Sequence, residues 1–177
     1  MCPSQDEVQC LYRIEPQPPY TPQIGALVQM MAYARHTTLQ AAEGLSVAEL
    51  DAVPANFTNS IGMLLAHIAA TDRIYQYLSF EGVDPVEPLL PEYAPYLGAM
   101  TFGAEGERVR GRTLDELLSN LAAVRAVTLS NLAERDDAWL ASPLFGDANQ
   151  HWAWFHVMED EVSHRGQIRL LRKALKS

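Results

Sequence analysis

Four stretches of this chain repeat apolar residues at intervals of three and four, and that spacing constrains the fold more than any other feature. In the first, roughly 22 to 43, Ile24, Leu27, Val28, Met31 and Ala34 recur. The second, roughly 59 to 80, carries Ile61, Leu64, Leu65, Ile68, Tyr75 and Leu78. In the third, from 114 to about 135, Leu114, Leu117, Leu118, Leu121, Val124, Leu129 and Leu132 follow the same rhythm. The fourth, roughly 150 to 176, has Val157, Ile168, Leu171 and Leu175. Each stripe is the face an amphipathic helix buries. No segment alternates with period two, and none repeats. Four helices of about 20 residues specify an all-α four-helix bundle.

The punctuation agrees with these spans. Thr21-Pro22 reads as an N-cap followed by proline at the first helical position. Gly44 and Gly82 stop the first two helices, and Thr58 or Asn59 caps the second. Thr113-Leu114-Asp115-Glu116 is a capping box. A short helical turn is expected over 46 to 51, and Pro143 and Gly146 mark the last loop. Five of the eleven prolines fall in residues 3 to 22, so residues 1–21 read as a Pro-rich tail and 22–177 as the bundle domain. Between the second and third helices, Pro85, Pro88, Pro91 and Pro95 and five glycines make a long connection. A connection of that size can return the chain in the same direction and can wrap a site.

At 177 residues the chain is long enough to bury one real core. Its net charge of −9 argues against nucleic acid, which calls for a basic stripe. The basic run from Arg165 to Lys176 instead compensates a helix C-terminus. No apolar run approaches the roughly 18 residues that span a bilayer, so no membrane partner is expected. Met1 to Gln9 lacks the basic and apolar regions of a signal peptide. A cytoplasmic protein is therefore expected. Cys2 and Cys10 have neither zinc-finger nor CxxC spacing and read as free thiols.

The fourth helix has an anomaly. Its seam is Val157, Glu161, His164, Ile168, Leu171 and Leu175, and two of these six are polar. Buried imidazoles and carboxylates are costly unless something satisfies them. Asp160 precedes His164 by four residues and Glu161 by three, about 40° and about 60° away around the axis on opposite sides. Either carboxylate could share an ion with His164. His67 flanks the Leu64/Ile68 stripe of the second helix and supplies a second imidazole. Two histidines and one carboxylate from two helices make a divalent-metal site with open positions, which suits catalysis better than structural closure.

Other polar and aromatic residues have secondary readings. His156 reads as a supporting or packing residue, and His36 and His151 as surface or cleft residues. Gly166, in mid-helix, suggests close approach by a neighbour. Trp152, Trp154 and Phe155 read as core, or as an apolar pocket wall with Tyr75 and Tyr33 opposite.

The stretch Asn59-Ser60-Ile61-Gly62-Met63-Leu64-Leu65-Ala66-His67-Ile68 resembles the second-helix motif of the DinB-like superfamily. His156 to Glu161, running into His164-Arg165-Gly166-Gln167-Ile168, resembles its fourth-helix motif, and Glu43 to Asp51 its connector. The likeness spans most of residues 24 to 175. It implies a bundle in up-down-down-up order and a three-ligand metal site of His67, Asp160 and His164, with Glu161 as the substitute carboxylate. Relatives carry histidine or glutamate where this chain has Asp160. Relatives include the mycothiol-dependent maleylpyruvate isomerases and bacillithiol transferases, in which a metal activates a cofactor thiol. The resemblance therefore implies one divalent ion (Zn, Ni, Mn or Fe), a low-molecular-weight thiol, a small-molecule substrate and a homodimer. The expected function is activation of a thiol or water toward a small electrophile. The alternative is a non-catalytic metal-binding or stress-response bundle in which the ion is structural.

Overall fold

The computed structural model describes residues 11–83, 99–100, 106 and 108–176. Cys2, Cys10 and most of the long connection, including its four prolines, lie outside the described residues.

Helix α1 spans Pro22–Ala42, with Thr21 extended at the N-cap and proline at N1 as the sequence predicts. The cap itself comes from elsewhere. Asp137 accepts the Thr21 hydroxyl at 2.5 Å and the backbone N–H groups of Gln23 and Ile24 at 3.0 and 3.2 Å. Beyond Gly44, at φ +72°, comes the short α2, Val47–Asp51, closed by a Ser46/Glu49 capping box. Helix α3 is Ile61–Gln76 and is capped by Ser60, one residue beyond the pair the sequence suggested. The difference is geometric, since the Ser60 hydroxyl is the one that accepts the Met63 amide, at 3.2 Å.

The second helix does not continue as α to Phe80. Tyr77–Glu81 forms a π-helical turn that ends at Gly82, φ +66°. The turn presents Ser79 to the core, where its hydroxyl accepts the Trp154 indole N–H at 2.9 Å and donates to Gln150 at 2.6 Å. Helix α4, Leu114–Ala133, begins with the expected capping box of Thr113 and Glu116. The last loop holds more structure than its proline and glycine suggested. It contains α5, Asp137–Leu140, and an antiparallel hairpin of β1, Pro143–Phe145, and β2, Ala148–Asn149. Strands this short leave no room for a period-two pattern. Helix α6, Gln150–Ala174, is capped by Asn149.

Helix α3 lies at the centre. All its residues except Arg73 and Tyr75 are buried. It packs against α2, α4 and α6, while α1 packs against α6, α4 and α5. The small residues of α3 permit this, and Gly62 comes so close to α2 that a Cβ would lie 3.2 Å from the Leu50 carbonyl. One apolar cluster joins Leu50, Leu64, Leu65, Leu117, Leu121, Ile168 and Leu171, and a second joins Ile24, Leu27, Met31, Leu132, Leu140, Trp154 and Val157. The described architecture is predominantly helical, as the periodicity predicts. Segment 11–20 straps across α1, where a Cβ on Gly25 would lie 2.9 Å from the Gln17 nitrogen.

Hydrogen bonds record how the helices lie. From α1 to α6, Arg35 reaches Glu161, Thr37 meets Arg165 and the Ala41 carbonyl meets Arg172. From α3 to α4, Asp72 meets Arg125 and Gln76 meets Thr128. From α3 and the π turn that follows it to α6 the order reverses, with His67 beside Asp160 and Ser79 beside Trp154.

Candidate metal centre

His67 on α3 and Asp160 and His164 on α6 come together at the α3/α6 seam. One ligand atom from each lies within 4.8 Å of the other two. His164 Nε2 is 3.2 Å, and His67 Nε2 3.5 Å, from the same Asp160 oxygen, Oδ1. The rings of His67 and His164 meet edge to face, 4.6 Å apart. Both imidazoles are buried. The i, i+4 spacing on α6 sets Asp160 and His164 on one stripe, and the small-residue packing of α3 brings His67 against it.

His67 Nδ1 lies 2.8 Å from the Ala99 carbonyl oxygen. A carbonyl only accepts, so that nitrogen carries the proton, and in the neutral ring Nε2 then presents a lone pair to Asp160. A lone pair facing a carboxylate at 3.5 Å needs a proton or a cation between them. An outer hydrogen bond of this kind is also what orients a ligating histidine. The second Asp160 oxygen, Oδ2, is buried with no hydrogen-bond partner among the described residues. Two ligands each about 2.1 Å from a tetrahedral ion lie about 3.4 Å apart. The observed spacings of 3.2 and 3.5 Å match that value, so the residues fit a divalent ion.

The electrostatics favour an anion at Asp160. Burial opposes its ionisation, but the hydrogen bonds and charge that the His164 and His67 rings supply when protonated hold its carboxyl well below the usual carboxylate range. Tyr75 responds in the opposite sense. Burial, and then the negative charge of Asp160, raise its phenol above the ordinary value and keep it protonated.

Glu161 is not in this group. Its carboxylate is fully buried on the neighbouring face of α6, bound by Arg35 at 2.7 and 3.2 Å and by Arg125 at 3.0 Å. Arg125 also donates to Asp72 at 2.7 Å, and Thr128 donates to the other Asp72 oxygen. Burial works against the Arg125 charge, but Asp72 and Glu161 outweigh it and raise its pKa. Two guanidiniums and two carboxylates balance, which is what burial of charge requires. The sequence reading missed this network. Its signal was a polar residue inside each apolar stripe: Asp72 on α3, Arg125 on α4 and Glu161 on α6.

The remaining expectations divide. His156 packs between Tyr75 and Trp152 and pairs with Glu159 at 3.3 Å. His36 and His151 are half-buried and stand outside the cluster. Among the aromatics that open α6, only Trp154 is core; Trp152 and Phe155 are exposed. Tyr33 pairs with Tyr12, and among the described ring contacts none joins it to the α6 aromatics. Among the described residues nothing lies within 4 Å of a Cβ on Gly166, so none of them makes the expected close approach. A cavity of about 720 Å³ opens between α1 and α4, lined by Arg35, Leu39, Leu118, Ala122, Arg125 and Leu129. None of the three clustered residues lines it.

The family model described as mycothiol-S-transferase matches residues 26–177. The chain belongs to that family, and with it to the DinB-like group whose helix motifs it resembles. Among solved structures, a conserved protein from Enterococcus faecalis superposes with a TM-score of 0.66 at 19% identity, covering 84% of this chain and 94% of its own. At that identity the likeness speaks for the fold. Among curated sequences no relative matches.

Proposed function

We propose that this mycothiol-S-transferase family member is a metal-dependent enzyme that transfers a low-molecular-weight thiol to a small electrophile. The observation that carries the reading is the shared Asp160 oxygen, facing two imidazole nitrogens at 3.2 and 3.5 Å, with its second oxygen buried and without a hydrogen-bond partner among the described residues. His67, Asp160 and His164 are the proposed ligands. An ion held there would supply Lewis acidity, lowering the pKa of a thiol or water near neutral pH. Three ligands leave a position for the reacting group. The ligand set suits zinc, nickel, manganese or iron(II).

The chain's own groups do the rest. The Ala99 carbonyl fixes the His67 ring. Ala99 and Met100 lie against the seam, Ala99 through His67 and Met100 through Thr71. Tyr75, kept protonated, can donate a hydrogen bond. Residues 22–177 are read as one domain in up-down-down-up order. Paired numbers that rise together between α1 and α6 and between α3 and α4, and that oppose between α3 and α6, support that order. A homodimer in the cytoplasm remains part of the family expectation; no described helix is long and apolar enough to cross a membrane.

The test is metal content of tag-free protein, alone and after incubation with zinc, nickel, manganese or iron(II). Wild type should hold about one ion per chain. His67→Ala and His164→Ala should lose it while keeping their helical content. A wild type that takes up no metal under any of these conditions would sink the reading, and unfolding on metal removal would favour a structural ion.

A further inference from the structure

Beyond the ligands, the α3/α6 seam continues as a row of rings. On α6, Trp152, His156, Asp160 and His164 follow one another at four-residue spacing. On α3, His67, Thr71 and Tyr75 do the same. The helices place Tyr75 beside His156, with ring centroids 5.6 Å apart. His156 lies flat on Trp152 at 5.1 Å and 2°, and Phe145 of β1 stands edge-on to Trp152 at 6.0 Å. The ladder therefore starts one helical turn from Asp160 and runs outward. Its outer members are open, with Trp152 43% and Phe145 45% exposed. Exposed ring faces on a rigid helix lose solvent contact at little entropic cost when a ligand covers them. The edges of the ladder are polar: the Tyr75 hydroxyl, the His156 ring nitrogens and the Glu159 carboxylate, which is 53% exposed.

We infer that this aromatic ladder is the subsite for the ring-bearing, hydroxylated portion of the thiol cosubstrate, whose sulfur is presented at His67, Asp160 and His164. A ring's negative face attracts the polarised C–H bonds of a saturated sugar or cyclitol ring. The polar edges then serve its hydroxyls. A wholly apolar electrophile would cover the Tyr75 hydroxyl and the His156–Glu159 pair without offering either a hydrogen bond in place of water, a cost that disfavours it here. Mycothiol, whose cysteine is joined to amino-sugar and inositol rings, has that amphipathic build. The inference rests on the proposed thiol-transfer function.

The experiment measures binding of mycothiol and of N-acetylcysteine, the same thiol without rings, to zinc-loaded wild type and Trp152→Ala. Calorimetry gives Kd and tryptophan fluorescence reports the contact. Trp152→Ala should weaken mycothiol about tenfold, the scale of one lost ring contact. It should leave N-acetylcysteine within about twofold and zinc content unchanged. Trp152→Phe should restore most of the loss, and mycothiol should quench wild-type but not Trp152→Ala fluorescence in proportion to occupancy. Equal weakening of both thiols, or no weakening of mycothiol, overturns the inference. So does a raised KM for an electrophile such as monobromobimane with mycothiol affinity intact, because the ladder would then belong to the electrophile. Failure of wild type to hold zinc sinks the functional reading instead, and the unchanged zinc content of Trp152→Ala keeps the two failures apart.

Discussion

Asp160 and Glu161 are adjacent carboxylates with opposite surroundings. One faces two imidazoles, and the other is closed by two guanidiniums. Asp160→Asn removes the proposed anionic ligand and should weaken zinc binding by about tenfold or more, read by competition with a chelator. Glu161→Gln removes no proposed ligand and should lower stability far more than zinc affinity; the reverse pattern would exchange their roles. Gly166 is a simpler case. It sits in the helix interior with no described residue within 4 Å of a Cβ, so Gly166→Ala should raise unfolding free energy by about 1 kcal/mol, measured by urea denaturation. A loss of stability there would mean that the residue meets a neighbour after all.

At the scale of elements, caps and buried charges decide how the helices begin and pack. In the α4 capping box, the hydrogen bond from the Thr113 amide, and then that from its hydroxyl, hold the Glu116 carboxyl below its ordinary value of 4.5. A carboxyl with a depressed folded-state pKa adds stability above its unfolded pKa, and that stability disappears as pH falls through the folded value. The Tm advantage of wild type over Glu116→Gln should therefore persist near neutral pH and shrink as pH falls below the ordinary value of 4.5 toward the lower folded-state value. A gap independent of pH would contradict the assignment. Between elements, Arg125 ties α4 to Asp72 of α3 and Glu161 of α6. Arg125→Met leaves Asp72 buried without its cation, a defect that costs about 3–5 kcal/mol in unfolding experiments.

For the whole molecule, the centre joins helices distant in sequence, so an ion there should stabilise the folded state by mass action. At a free zinc concentration about 100-fold above Kd the gain is about 2.7 kcal/mol. Wild-type Tm should rise with zinc, and that of His67→Ala and His164→Ala should not.

The helical spans were legible in the sequence because apolar spacing and caps are local. Thr113 with Glu116, Gly44, Gly82 and Pro22 each act within a few residues of themselves. His164 with a carboxylate one turn before it was legible for the same reason, but spacing left Asp160 and Glu161 level, and only the family resemblance favoured Asp160. The tertiary structure alone decided what is non-local. It set Glu161 against Arg35 and Arg125, supplied the α1 cap from Asp137, used a π turn to bring Ser79 to Trp154, and aligned the α6 ring stripe with Tyr75. Spacing fixes which side chains share a face of one helix, and only packing decides what that face meets.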